Sequence, residues 1–152
     1  MSSQAISRPQ TNSYRSQAVP AGASALLVPV ARLFFTLIFL LSGPRHFTQA
    51  AIGYAAAQGV PFASFLVPAS GVLAVVGALS VLLGYRARIG AWLLILFLVP
   101  VTFMMHNFWT VADPMMQQIQ IAMFMKNVAL IGGALLIWSF GPGPYSLDGR
   151  RD

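Results

Sequence analysis

The sequence predicts an all-α integral membrane protein: a four-helix bundle with both termini cytoplasmic and a short interfacial helix after the first span. Three observations carry that prediction. Hydrophobic residues make up 57% of the 152 positions and charged residues only 8%, far from the balance of a soluble domain. The apolar residues gather into four runs, each near the roughly 20 residues a helix needs to cross a bilayer. The charges stand mainly between those runs. Helices follow because a spanning segment must satisfy its own backbone hydrogen bonds inside lipid.

Residues 1–23, "MSSQAISRPQTNSYRSQAVPAGA", are polar and lack the apolar core of a signal peptide, so they read as a disordered tail. Residues 24–43, "SALLVPVARLFFTLIFLLSG", form the first run. Phe47, Ala50, Ala51, Tyr54 and Ala55 then recur at helical spacing and predict the short interfacial helix, broken by Gly59 and Pro61. The second run is 62–84, the third 89–107 and the fourth 117–140. Ser70, Ala74, Gly77, Val81 and Gly84 make a stripe of small residues on the second run, a packing face rather than a site. Residues 24–148 are thus one four-span membrane domain, and 149–152 a basic tail.

The positive residues orient the bundle. Arg8 and Arg15 precede the first run, Arg86 and Arg88 lie between the second and third, and Arg150 and Arg151 follow the fourth. Only Arg45 lies on the opposite side, so the positive-inside rule places both termini in the cytoplasm. The net charge of +6 marks topology and lipid headgroup contacts, and nucleic acid is not an expected partner. The chain has no cysteine, which excludes disulfides, thiol catalysis and cysteine-ligated clusters.

Two ionisable residues fall inside runs, and such residues are functional candidates by default. Arg32 is about 12 Å deep by helical rise, within snorkelling reach of the interface. Lys126 is roughly 21 Å from the inner end of its helix, near mid-membrane, and is expected to point into the bundle. No Asp lies in any run and there is no Glu at all. Asp113 would sit roughly 20 Å away along one continuous helix. Lys126 therefore meets carbonyls and polar side chains, loses its proton, or meets an external acceptor such as a quinone carbonyl, an anionic substrate, a lipid phosphate or a partner's carboxylate. Gln117, Gln120, Phe124 and Asn127 share one helical face, and Thr102 and His106 share another. Together they predict a polar, outward-facing cavity between the third and fourth runs. The candidate ligand-binding residues are Lys126, Asn127, Gln120, His106 and Arg32. Asp148 is expected to pair with Arg32 or Arg86 and lock the bundle. No catalytic residue can be named. His46, His106 and the nearby methionines lack any ligand spacing, and no metal site is expected.

Three stretches, "ARLFFTLIFLLSGPRHF", "HNFW" and "FMKNVALIGGALLIWSFGPGPYSLD", resemble the DoxX family of small four-helix membrane proteins over residues 25–148. The resemblance implies a bacterial inner-membrane protein and maps an arginine onto Arg32, a lysine onto Lys126 and an aspartate onto Asp148. Family members are associated with oxidative-stress and thiol-redox complexes, and a related archaeal subunit belongs to a thiosulfate:quinone oxidoreductase. The leading expectation is then a redox-linked subunit that binds a quinone-like or anionic small molecule, with quinone as the candidate cofactor. A non-enzymatic scaffold for soluble redox enzymes or membrane subunits is the alternative, and a small transporter the third reading. A homo-oligomer stays open, and the lipid bilayer is the one partner every reading shares.

Overall fold

The computed structural model describes residues 23–150, and every secondary-structure element among them is a helix. The expected tail at 1–23 lies outside the described residues apart from Ala23, as do positions 151 and 152. Helix α1 (Ala23–Ser42) runs into a 3₁₀ segment (Gly43–Phe47), followed by the short α2 (Gln49–Ala57). Three long helices follow: α3 (Ala63–Leu83), α4 (Ala87–Met105) and α5 (Pro114–Phe140). A 3₁₀ turn (Phe108–Thr110) precedes α5, and another (Asp148–Arg150) takes up the start of the expected basic tail. Helices α1, α3, α4 and α5 are each long and apolar enough to cross a membrane, and the chain is a multi-pass membrane protein.

Local chemistry explains the boundaries. Thr48 caps α2 by accepting the Ala51 amide on its hydroxyl (3.3 Å), and Gly59, at φ +82°, ends the segment. Helix α5 begins three residues before the predicted run. There Asp113 accepts the Met116 amide at 2.8 Å, and Pro114 occupies the first turn, where a missing N–H costs nothing. Pro29, Pro68 and Pro100 lie inside α1, α3 and α4. Buried hydroxyls are satisfied within their own helices, Thr36 donating to the Arg32 carbonyl (2.7 Å) and Thr102 to the Leu98 carbonyl (2.6 Å).

Consecutive long helices alternate in direction, so the bundle has two ends: one carries α2, and the other, the terminal end, carries the start of α1 and the end of α5. Helix α4 is the most buried span and α5 the least. The small-residue stripe of α3 packs as its composition predicts. Ala74, Ala78 and Val81 are fully buried with Ala91, Leu94 and Leu98 of α4 and Phe39 of α1. A Cβ on Gly77 would come within 2.9 Å of the Gly90 carbonyl oxygen, so α3 and α4 approach backbone to backbone near the terminal end. Toward the other end they are bridged by α2, whose Ala55 packs with Ala63 and Val67 of α3 and with Met105 of α4.

Candidate functional site

Two adjoining chambers open where α2 meets the bundle. The larger, about 600 Å³, lies beneath α2 between α3 and α4. Its walls are apolar, with Ala51 and Tyr54 of α2, Ala69 and Leu73 of α3, and Pro100 and Met104 of α4. The smaller, about 140 Å³, lies between α1, α4 and α5 and is lined by Ile38, Ser42, Leu98, Lys126, Asn127 and Leu130. His46, Phe97, Val101 and His106 border both, so the two chambers share one wall and two imidazoles.

The imidazoles are held by their helix ends. His46 follows α1 in the 3₁₀ segment, with Nδ1 3.3 Å from the Ser42 carbonyl and its ring edge-on to Phe97 at 5.5 Å. A carbonyl can only accept, so this contact puts the proton on Nδ1. His106 ends α4, and its Nδ1 lies 2.9 Å from Gln120 Oε1 on α5. Phe103, Phe108, Trp109 and Phe124 pack edge to face and close the α4–α5 side beside this pair.

The predicted face of Gln117, Gln120, Phe124 and Asn127 does turn toward the bundle, each of the four being at least partly buried. Asn127 is only 4% exposed and lines the smaller chamber, yet its carboxamide makes no hydrogen bond to any described residue. Among the described residues the buried side-chain atoms without a partner are Arg32 Nε and Nη1, so the Asn127 carboxamide opens onto the chamber and is free to bond whatever fills it.

Lys126 corrects an expectation. It does not point into the core: its side chain is exposed on the flank of α5, at the rim of the smaller chamber, and its Nζ reaches only Met123 Sδ, at 3.6 Å. A step of about 100° per residue puts neighbours on different faces of a helix, and the packed face belongs to Asn127, Leu130 and Ala134. On the α1 side, a Cβ on Gly133 would come within 2.9 Å of the Phe35 ring. Helices α1 and α5 thus touch there, with the chamber lying between them on the α2 side of that contact.

Arg32 belongs to neither chamber. It is 4% exposed near the terminal end, where its Nη2 donates to the Tyr145 carbonyl at 2.6 Å while Nε and Nη1 are buried without a hydrogen-bond partner. The expected ion pair of Asp148 with Arg32 or Arg86 is replaced by a cap. The Asp148 carboxylate accepts the backbone amides of Arg86 (2.8 Å) and Ala87 (3.1 Å), at the start of α4. Two backbone bonds, Leu147 N–H to the Leu83 carbonyl (3.2 Å) and Asp148 N–H to the Gly84 carbonyl (2.8 Å), tie the same segment to the end of α3. An aspartate sixty-two positions from its partner amide carries no local sequence signal for a cap.

The SURF4 family model matches residues 60–152, more than half of the chain. The chain belongs to the SURF4 family. It is 32% identical to the inner membrane protein YqjF of Escherichia coli (strain K12) over 127 residues, which covers 80% of this chain and 88% of that protein. It is 27% identical over 81 residues to the Surfeit locus protein 4 homolog of Schizosaccharomyces pombe, spanning 53% of this chain but only 27% of the yeast protein. No solved structure matches the chain. These findings overturn the DoxX resemblance, since none of them points to that family. Apolar runs that contain a lysine and end in a Gly-Pro terminator follow from membrane physics in many four-span proteins, so the quoted stretches discriminated poorly. The quinone-binding redox subunit, the redox scaffold and the transporter find no support in these relatives.

Proposed function

We propose that this SURF4-family chain is a multi-pass inner-membrane protein that holds an amphiphile within the bilayer, its apolar body beneath α2 and its polar end in the smaller chamber. The observation that carries the reading is the joined pair of chambers. One is apolar and about 600 Å³, within the range of about 300–1,000 Å³ usual for small-molecule sites. The other presents Asn127, whose amide makes no hydrogen bond to a described residue, in a chamber that two imidazoles also line. The name of the Escherichia coli relative supports the inner membrane. The arginine distribution supports cytoplasmic termini, with α2 lying in the opposite interface. Arg45 precedes α2 and Tyr54 lies on it, residue types suited to a headgroup region.

The test is native mass spectrometry of the protein purified with its lipids. A retained small molecule is expected in the parent and a clear loss of it in Ala69→Phe, which fills the apolar chamber. Equal retention by both proteins, or none in the parent, would refute the reading.

A further inference from the structure

The smaller chamber says what the polar end should be. Lys126 stands at its rim, near the middle of α5, twelve residues from the helix start at Pro114 and fourteen from its end at Phe140. A cation there needs an anion close by, because hydrocarbon solvates it poorly. Neither aspartate among the described residues provides one. Asp113 is at the end of α5 and uses its carboxylate on the Met116 amide, and Asp148 is at the terminal end of the bundle on the amides of Arg86 and Ala87. A second copy would bring the same lysine and the same distant aspartates.

The chamber next to Lys126 is about a quarter the size of its apolar neighbour, too small for a bulky headgroup. It supplies one cation and one unbonded carboxamide, whose two N–H groups suit the lone pairs of a compact monoanion. The way in is lateral. Helices α1 and α5 meet at Phe35 and Gly133, and toward the α2 end the chamber lies between them with exposed Lys126 at its edge.

Resting on the two-chamber reading, we infer that the ligand is a single-chain amphiphile with a carboxylate head. It enters from the bilayer between α1 and α5, seats its carboxylate on Lys126 Nζ and the Asn127 amide, and lays its chain past His46 and His106 into the cavity under α2.

Binding of hexadecanoic acid and of hexadecanol to the delipidated full chain in neutral phosphatidylcholine nanodiscs tests this. The two probes share a chain and differ in the head. The parent should bind the acid at least about tenfold more tightly than the alcohol, as a charge-assisted contact requires. Lys126→Arg should keep that preference and Lys126→Met should erase it. Equal binding of both probes by the parent, or an acid preference that survives Lys126→Met, overturns the inference. If Lys126→Met does not fold, the ratio measured on the parent decides alone. Loss of a co-purifying protein from Lys126→Met, with no acid preference in the parent, would assign the lysine to a partner's carboxylate and likewise overturns it. Equal binding that Ala69→Phe abolishes would sink the head chemistry and leave the two-chamber reading standing. Failure of both probes to bind would sink the two-chamber reading itself.

Discussion

The two ends of the bundle handle polar groups in opposite ways. At the terminal end polar groups join segments far apart in the chain: Arg32 to the Tyr145 carbonyl, Asp148 to two amides of α4, and the backbone of Leu147 and Asp148 to the last turn of α3. Helices α3 and α4 touch there through glycine. At the α2 end the same two helices are bridged by α2 over a cavity, and Asn127 and Lys126 lack good partners among the described residues. A polar group that joins distant segments by backbone bonds is holding the fold. A polar group left unbonded beside a cavity is waiting for something else. Arg32 sits between these cases, since one of its nitrogens is bonded and two are not.

The sharpest way to break the comparison is Gly84→Val. Gly84 adopts φ +63°, and a side chain there would collide with Arg32 and Ser146. Left-handed backbone costs about 1–2 kcal/mol for such a residue, and overpacking about 1–3 kcal/mol more. The variant should lower the yield of monodisperse protein severely, read by size exclusion in detergent. Normal yield would show that the terminal end is less tightly built than described.

A smaller loss is expected from Asp148→Ala, which removes the cap on α4. Thermal unfolding in detergent should show destabilisation by about 0.5–2 kcal/mol, with Asp148→Asn recovering part of it. A drop in ligand retention as large as the drop in stability would mean that the two ends are coupled, not independent.

The least effect on stability belongs to the chamber. Asn127→Leu replaces an unbonded buried amide with an apolar group of similar size, so stability should stay within about 1 kcal/mol of the parent or rise. Retention of the bound molecule should nonetheless fall. Strong destabilisation by this variant would reveal a structural partner for Asn127 and remove it from the site.

The four spans, the α2 segment and the packing stripe on α3 were legible because each is a local property. A run of about 20 apolar residues is a spanning helix whatever surrounds it, although the Asp113-Pro114 start of α5 lies three residues before the predicted run. That Gln117, Gln120, Phe124 and Asn127 share a face of α5 was also legible, since three- and four-residue spacing reports a helix face directly. The position of Lys126 was not legible. A charge inside an apolar run draws attention to itself, but adjacent residues face different ways, and the choice of face rests on which helices pack against α5. Nor did the motifs identify the family, because membrane constraints impose similar strings on unrelated four-span chains.

By itself, then, the sequence determined that four helices are long and apolar enough to cross a membrane, where each begins and ends to within a few residues, and which residues of α5 share a face. The tertiary structure decided that Asn127 rather than Lys126 is buried, that Asp148 caps α4 instead of pairing with arginine, and that the cavity extends beneath α2. The physical reason is range. Hydropathy and capping act over one helix, whereas a cavity and a long-range cap exist only once segments far apart in the chain have packed together.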